Sequence, residues 1–249
     1  GWETFFAERS QGMIQEACGD DQTLTVDLSV PFSISGDQPV VAESIHGDVP
    51  DDWNWEESTV APSVSPEVED EIEACASGGC GDPPDGEISA GTYNSSGAES
   101  FNNVTFNTSD GDIAVVADGD LTLKDIDIEG DNNVTLYIRD ELTVKSSVND
   151  GGNASQLTSL VHSDGSVSFT GSSDYTGVIY APNSDIDLNG VPQINYEGAL
   201  VVEDLYPNGN ADKMEFVSDP SLNGYQIVEG NRPLTYLHVS ENPIEVEFD

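Results

Sequence analysis

Asp118-Gly-Asp-Leu-Thr-Leu123, Arg139-Asp-Glu-Leu-Thr-Val144, Asp164-Gly-Ser-Val-Ser-Phe169 and Asn183-Ser-Asp-Ile-Asp-Leu188 are one pattern that comes round four times. Each is a polar corner followed by two apolar residues with a small or polar residue between them, which reads as a short strand after a turn. Ahead of each corner runs a second apolar segment: Ile113-Ala-Val-Val116, Val134-Thr-Leu-Tyr-Ile138, Leu157-Thr-Ser-Leu-Val161 and Gly177-Val-Ile-Tyr180. Leu121 to Leu142 is 21 residues, Leu142 to Val167 is 25 and Val167 to Ile186 is 19. Strands that recur about every 20 residues, with no helical period, predict the coils of a β-solenoid. One coil cannot bury its apolar side alone, so successive coils must stack. The competing reading is a β-sandwich with evenly spaced strands. The same register puts Asp118 against Arg139, an opposite-charge pair, and Lys124 against Lys145, a like-charge pair that neighbouring acids must offset.

Outward from this centre, Glu87-Ile-Ser-Ala and Phe101 to Phe106 read as a first, less regular coil, and Gly198 to Val202 with Leu205 and Tyr206 as a last half-coil. Before the coils, residues 1–17 read as a helix with Trp2, Phe5, Phe6, Met13 and Ala17 on one face, and Thr23 to Val30 alternates as a half-buried strand. Gly36 to Ala61 reads as irregular and acidic, anchored by Trp53 and Trp55. Ser65 to Cys75 is expected to be a short helix, with Ser65 as N-cap, Pro66 in the first turn and Val68, Ile72 and Cys75 in one stripe. Gly78-Gly79 stops it, and Gly81-Asp-Pro-Pro-Asp-Gly86 is the best boundary. After the coils, Leu234 to Val239 and Ile244 to Phe248 alternate and are expected to pair with Thr23 to Val30, covering an open end of the solenoid. The fold class is therefore mainly β. It comprises a helix, strand and acidic loop region over 1–85, a parallel β-solenoid over 86–206, and C-terminal strands over 207–249 that form a small sheet with the other chain end.

The chain has 249 residues, with 48 Asp plus Glu against 6 Lys plus Arg, a formal net charge of -42. So acidic a chain is commonly disordered, yet its acids are spread among strands and its apolar fraction is an ordinary 36%. The charge reads as a folded surface adapted to high salt, where self-repulsion is screened. It excludes nucleic acid as a partner, because phosphate binding needs clustered cations. No run approaches the length of a membrane-spanning helix, so membrane association is expected only through an upstream segment, and the chain reads as a mature secreted product or the soluble part of something longer.

Cys75 and Cys80 flank a Gly-rich bend that can bring them within disulfide range, with Cys18 left over. The alternatives are unpaired thiols or a metal site with His46. No nucleophile elbow, P-loop, dinucleotide fingerprint or zinc spacing is present, and His46, His162 and His238 form no triad pattern. Lys124, Arg139 and Lys145 are the only bases within the regular coils, which sets a β-helical polysaccharide lyase or hydrolase behind non-enzymatic readings. Asp118, Asp120, Asp125 and Asp127 are weak candidates for Ca²⁺ or Mg²⁺, against the plainer reading of solvated carboxylates. Asn94, Asn103, Asn107, Asn133 and Asn153 begin Asn-x-Ser/Thr sequons crowded into the first half of the coils, a pattern that favours a glycosylated exterior.

Three stretches carry a resemblance: Gly1-Trp-Glu-Thr-Phe-Phe-Ala-Glu-Arg9 with the strand after it, the Tyr175 to Leu188 coil, and Pro233-Leu-Thr-Tyr-Leu-His-Val239 with Asn242. The chain resembles the soluble part of haloarchaeal pilin-like cell-surface proteins, and its middle is similar to polymer-forming, bactofilin-like solenoids. The resemblance implies an extracellular location and a non-enzymatic structural or filament role, with itself or other pilin-like subunits as partners. It also implies a signal and hydrophobic helix preceding Gly1. The alternative is an adhesin that holds surface glycans at Trp53, Trp55 or an exposed Tyr175.

Overall fold

The computed structural model describes residues 26–28, 40–45, 55–57, 63–188, 190–206, 214–222, 225 and 232–234. The chain divides into two compact units, Phe32–Val228 and the pair Gly1–Pro31 with Glu229–Asp249. In the latter, β1 (Val26–Leu28) pairs antiparallel with a strand at Arg232–Leu234, Val26 opposite Leu234, so the two chain ends do form a small sheet. The expected helix over 1–17 and the strands beyond Leu234 lie outside the described residues.

The larger unit is a parallel β-solenoid of about six turns, with coils about 21 residues apart. Each coil crosses three faces. Face A stacks β5 (Gly91–Ser95), β7 (Ile113–Ala117), β9 (Val134–Ile138) and β11 (Leu157–Val161), then residues 177–181 and 198–202 of two long strands, β12 (Ser166–Ala181) and β14 (Gln193–Tyr206). Face B stacks the first parts of β6 (Glu99–Asn107), β8 (Leu121–Glu129), β10 (Glu141–Val148) and β12. Face C stacks β4 (Glu87–Ser89), the later parts of β6, β8 and β10, the middle of β12, the start of β14, and β15 (Met214–Val217). Leu121, Leu142 and Val167 are register partners, and Ile186, on β13 (Ile186–Asp187), lies in the same core.

The period follows from what points inward. On face A, Val115, Leu136, Ile179 and Leu200 fill the interior, and from face C so do Ile126, Val148, Tyr175 and Tyr196. Complete burial of each such side chain contributes about 1.5–3 kcal/mol. Tyr175 and Tyr196 stack with ring centroids 5.2 Å apart, Phe216 follows at 5.6 Å from Tyr196, and the Tyr196 hydroxyl donates to the Ala199 carbonyl at 2.7 Å. Tyr175, expected as an exposed sugar platform, is instead 1% exposed; it alternates with outward Asp174, and that parity sends it inward.

Face A is apolar on its outside as well. Val116, Leu160, Val178, Tyr180 and Val201 form a second core with Val64, Val68, Ile72 and Cys75 of and beside helix α1 (Ser65–Ala74), and with Ala154 and Leu222. Strands covered on both sides read as near-continuous apolar runs, which is how β7 and residues 177–181 and 198–202 read. The stripe of Val68, Ile72 and Cys75 is the one expected from sequence. Ser65 is not the N-cap: Val64 holds that position, and Ser65 lies inside the first turn. Its hydroxyl accepts from the Ser163 N–H at 2.9 Å, tying the helix start to the solenoid, while Ser63 Oγ accepts from the Ser65 N–H at 3.2 Å.

Two further differences concern the far end of the stack. The segment expected to be irregular contains β2 (Val40–Ile45) and β3 (Trp55–Glu57); β2 pairs in parallel with β14, Val40 beside Leu200, and β3 pairs with β2. A segment that precedes the coils in sequence thus supplies rungs after them, a long-range pairing that local periodicity cannot reveal. β15 likewise extends face C beyond residue 206, Met214 beside Ile194.

Candidate functional site

The corner between faces A and B carries the most connected polar group. Arg139 stands there one coil above Asp118, and its Nη1 reaches Asp118 Oδ1 at 2.6 Å, the stacked pair read from the repeat. Its Nη2 donates to Glu69 Oε2 of α1 at 2.7 Å. His162, one coil further, places Nε2 3.5 Å from Glu69 Oε1 while its Nδ1 accepts from the Asp164 N–H at 3.1 Å. With Nδ1 accepting, the Nε2 edge is the one turned to the carboxylate. Sequence reading found Asp118 and Arg139 but missed Glu69, because nothing local marks which helical acid meets a cation 70 residues away. The arrangement clips α1 over face A.

The corner between faces B and C is built differently. Asn103, Asp125 and Ser146 have φ of 58°, 52° and 70°, and Gly171 has 77°. All four follow register-matched residues, since Asn102, Lys124, Lys145 and Thr170 are successive partners. A left-handed residue in each coil turns the strand from one face to the next, and Asn and Asp tolerate that conformation better than most residues. Asp125 also accepts from Ser146 Oγ at 2.7 Å and lies 3.9 Å from Lys124 Nζ, an acid that offsets the stacked lysines.

The four aspartates weighed as cation ligands therefore do not come together. Asp118 is paired with Arg139, Asp120 accepts from the Glu141 N–H at 3.2 Å, and Asp125 is held at the B/C corner, beyond which Asp127 is exposed on face C. Among the described residues, no group of three or more His, Cys, Asp or Glu converges as a metal site. Cys75 and Cys80 are joined by a disulfide with Cα atoms 4.9 Å apart, closing the turn in which Gly78 adopts φ of 97°. Trp53, His46, His238 and Cys18 lie outside the described residues.

The five sequon asparagines differ sharply. Asn103, Asn133 and Asn153 are exposed. Asn94 faces outward on face A, beside Val116 in register, with its Oδ1 buried and lacking a hydrogen-bond partner. Asn107 Nδ2 donates to Glu87 Oε1 at 2.9 Å and its Oδ1 accepts from the Ser109 N–H at 3.1 Å. Faces B and C both present open polar side chains; on face B, Thr122, Thr143 and Ser168 stand beside exposed Lys124 and Lys145.

Titration follows burial. Burial pushes the Tyr175 and Tyr196 phenols up, the second further through its neighbour Tyr175. Burial also raises Tyr137, helped by Glu71 and Glu67 of α1, and raises Tyr225 against its hydrogen bond to Thr158. Burial alone would raise Asp219, but the N–H groups of Ser221 and Ala154 at 2.8 Å hold its carboxyl below the usual range.

No helix among the described residues is long and apolar enough to cross a membrane. No curated protein and no solved structure matches the sequence. The model of a family described as a domain of unknown function, DUF7305, matches residues 48–225. That span holds α1, every coil from β4 to β15 and the turn that carries Asp219, so the chain belongs to the DUF7305 family.

Proposed function

We propose that the protein is a non-enzymatic structural subunit displayed outside a halophilic archaeal cell, pilin-like in its surroundings, with the solenoid acting as a stiff, glycan-bearing spacer. The observation that carries this reading is the continuous register of face A, in which Tyr93, Val115, Leu136, Ser159, Ile179, Leu200, Val40 and Trp55 are successive partners. A stack whose every rung is hydrogen-bonded to the next resists bending and stretching without a separate hinge. The acidic surface suits molar salt, and the Cys75–Cys80 disulfide suits an oxidising exterior. Partners on this reading are further copies or other pilin-like subunits.

The test is location and assembly together. Antibody against the coils should label intact cells, and micrographs of shed surface material should show ordered filaments that carry the same label. Label confined to the cytoplasm would overturn the reading. Release of unsaturated sugars from acidic polysaccharides would replace it with a lyase.

A second reading, surface-glycan binding, rests on the uncovered ladder of face B. Loss of glycan-array signal in Lys124→Ala/Lys145→Ala, with folding intact, is the outcome that would favour it.

A further inference from the structure

Corners of the solenoid are hydrogen-bonded to one another, so a modification at a corner is held at a defined place. Between faces C and A, the Thr108 N–H donates to the Glu129 carbonyl at 2.7 Å, Asn132 Nδ2 to the Thr108 carbonyl at 2.6 Å, and Gln156 Nε2 to the Gly130 carbonyl at 2.8 Å. Asn133 leads into β9 from this corner, and Asn153 sits one coil later, before β11, which pairs with β9. Asn103 sits on the other corner that borders face C.

An N-linked glycan is carried on Nδ2, so the folded protein accommodates one only where that nitrogen projects into solvent. Asn153 meets this condition by construction: its Oδ1 accepts from Ser155 N and Ser155 Oγ at 3.1 and 2.8 Å, which turns Nδ2 the other way. Asn103 and Asn133 are exposed, and neither side chain has a hydrogen-bond partner among the described residues. Asn94 has less room: it faces the side of face A that α1 covers, beside Val116, and is half-buried with its amide oxygen enclosed, while its N–H donates at 2.8 Å to the Gly81 carbonyl of the rung alongside. Asn107 fails because Nδ2 is directed at the Glu87 carboxylate.

We propose that Asn103, Asn133 and Asn153 carry N-linked glycans while Asn94 and Asn107 remain bare, so that sugars line both corners of face C and leave face B open. The proposal rests on the exported, surface-displayed reading above. In the transfer, Asn Nδ2 attacks the anomeric carbon of an oligosaccharide carried on a membrane lipid phosphate. A C–N bond forms, the C–O bond to phosphate breaks, the lipid phosphate leaves with the electron pair, and the amide proton passes to a base of the transferase.

The test uses protein purified from its native cells. Glycopeptide mass spectrometry, with cleavage at acidic residues and fragmentation that separates Asn103 from Asn107, should find glycan on Asn103, Asn133 and Asn153 and none on Asn94 or Asn107. In the whole protein, Asn133→Gln, Asn153→Gln and Thr105→Ala should each remove one glycan mass, whereas Asn94→Gln and Asn107→Gln remove none. Thr105→Ala erases the Asn103 sequon without placing a new side chain at the left-handed corner. Occupancy of Asn94 or Asn107 at the level of the other three would overturn the proposal. Five bare asparagines on protein that still labels at the cell surface would overturn the glycan assignment alone; five bare asparagines on cytoplasmic protein would take both.

Discussion

The stack of left-handed corner residues explains choices that look chemical when read from sequence. Asn103 belongs to a sequon and Asp125 to a run of acids, yet each also occupies the position where the chain must take positive φ. Because the Asn103 side chain is exposed, its backbone role can be tested in unglycosylated recombinant protein. Asn103→Gly is expected to leave stability within about 0.5 kcal/mol, while Asn103→Val costs about 1–2 kcal/mol or more, since a β-branched residue is strained there. Urea unfolding followed by circular dichroism reads both, and equal losses would show that the corner does not select by φ. A second residue-scale prediction concerns the buried phenols. Their folded pKa values are raised, so the unfolded chain ionises first, near the ordinary tyrosine value of about 10. The stabilisation is complete below that pH and is lost as pH climbs toward the folded values of Tyr175 and Tyr196. Tyrosinate absorbance is expected to rise in two stages, exposed phenols first and the core stack only as far-UV signal collapses. Ionisation of all phenols before unfolding would contradict the burial.

At the scale of elements, the helix and its disulfide form a lid over one face, and the lid is held at both ends. At its start Ser65 receives the Ser163 N–H; along its length Glu69 meets Arg139; at its end the Cys75–Cys80 bridge closes the turn. A loop that short, once cross-linked, restricts the unfolded chain by about 2 kcal/mol. Cys75→Ser/Cys80→Ser is therefore expected to lower stability by about that amount, with hydrogen exchange accelerating in α1 before the coils. The Glu69 and Arg139 side chains are 41% and 34% exposed, so a double-mutant cycle between Glu69→Ala and Arg139→Ala should give only about 0.5–1 kcal/mol, shrinking in salt. Uniform exchange across α1 and the interior strands would mean that the lid is not a separate element. This is also where sequence was most and least legible. Strand position, register of Leu121, Leu142 and Val167, and the stripe of α1 are written in local periodicity. The docking of α1, the partner of Arg139 and the rungs at Val40 and Trp55 join residues far apart in the chain, and no local pattern encodes such pairings. Tyr175, which the adhesin alternative needs at the surface, is directed inward by its parity along β12. The sequons were legible as motifs, but which amides are open depends on neighbours from other coils, such as Glu87 beside Asn107.

For the whole molecule, the decisive quantity is a net charge of -42 on a chain whose larger unit is a stack of closely spaced rungs. Neighbouring strands lie about 4.8 Å apart, and two like charges at about 4 Å repel by roughly 1 kcal/mol even at the dielectric of water. Arg139, one of the six cations, is already committed to Glu69 and Asp118, so most of that repulsion is left to the solvent to screen. The screening length falls from about 10 Å at 0.1 M to about 3 Å at 1 M salt. Melting temperature should therefore climb steadily across that range of KCl, by more than an osmotically matched sucrose series produces. Asp127, Glu129 and Asp131 are exposed along the end of one strand and the corner after it. Neutralising them together as Asp127→Asn, Glu129→Gln and Asp131→Asn should raise the melting temperature at low salt and flatten the slope. A bound divalent ion would behave otherwise: stability would step up at submillimolar Ca²⁺ or Mg²⁺ and then saturate, and the triple variant would lose the step while keeping the slope in KCl. A saturating step of that kind would return the aspartates to the status of ligands, and a parent curve flat in KCl would remove the physical reason for reading this surface as built for brine.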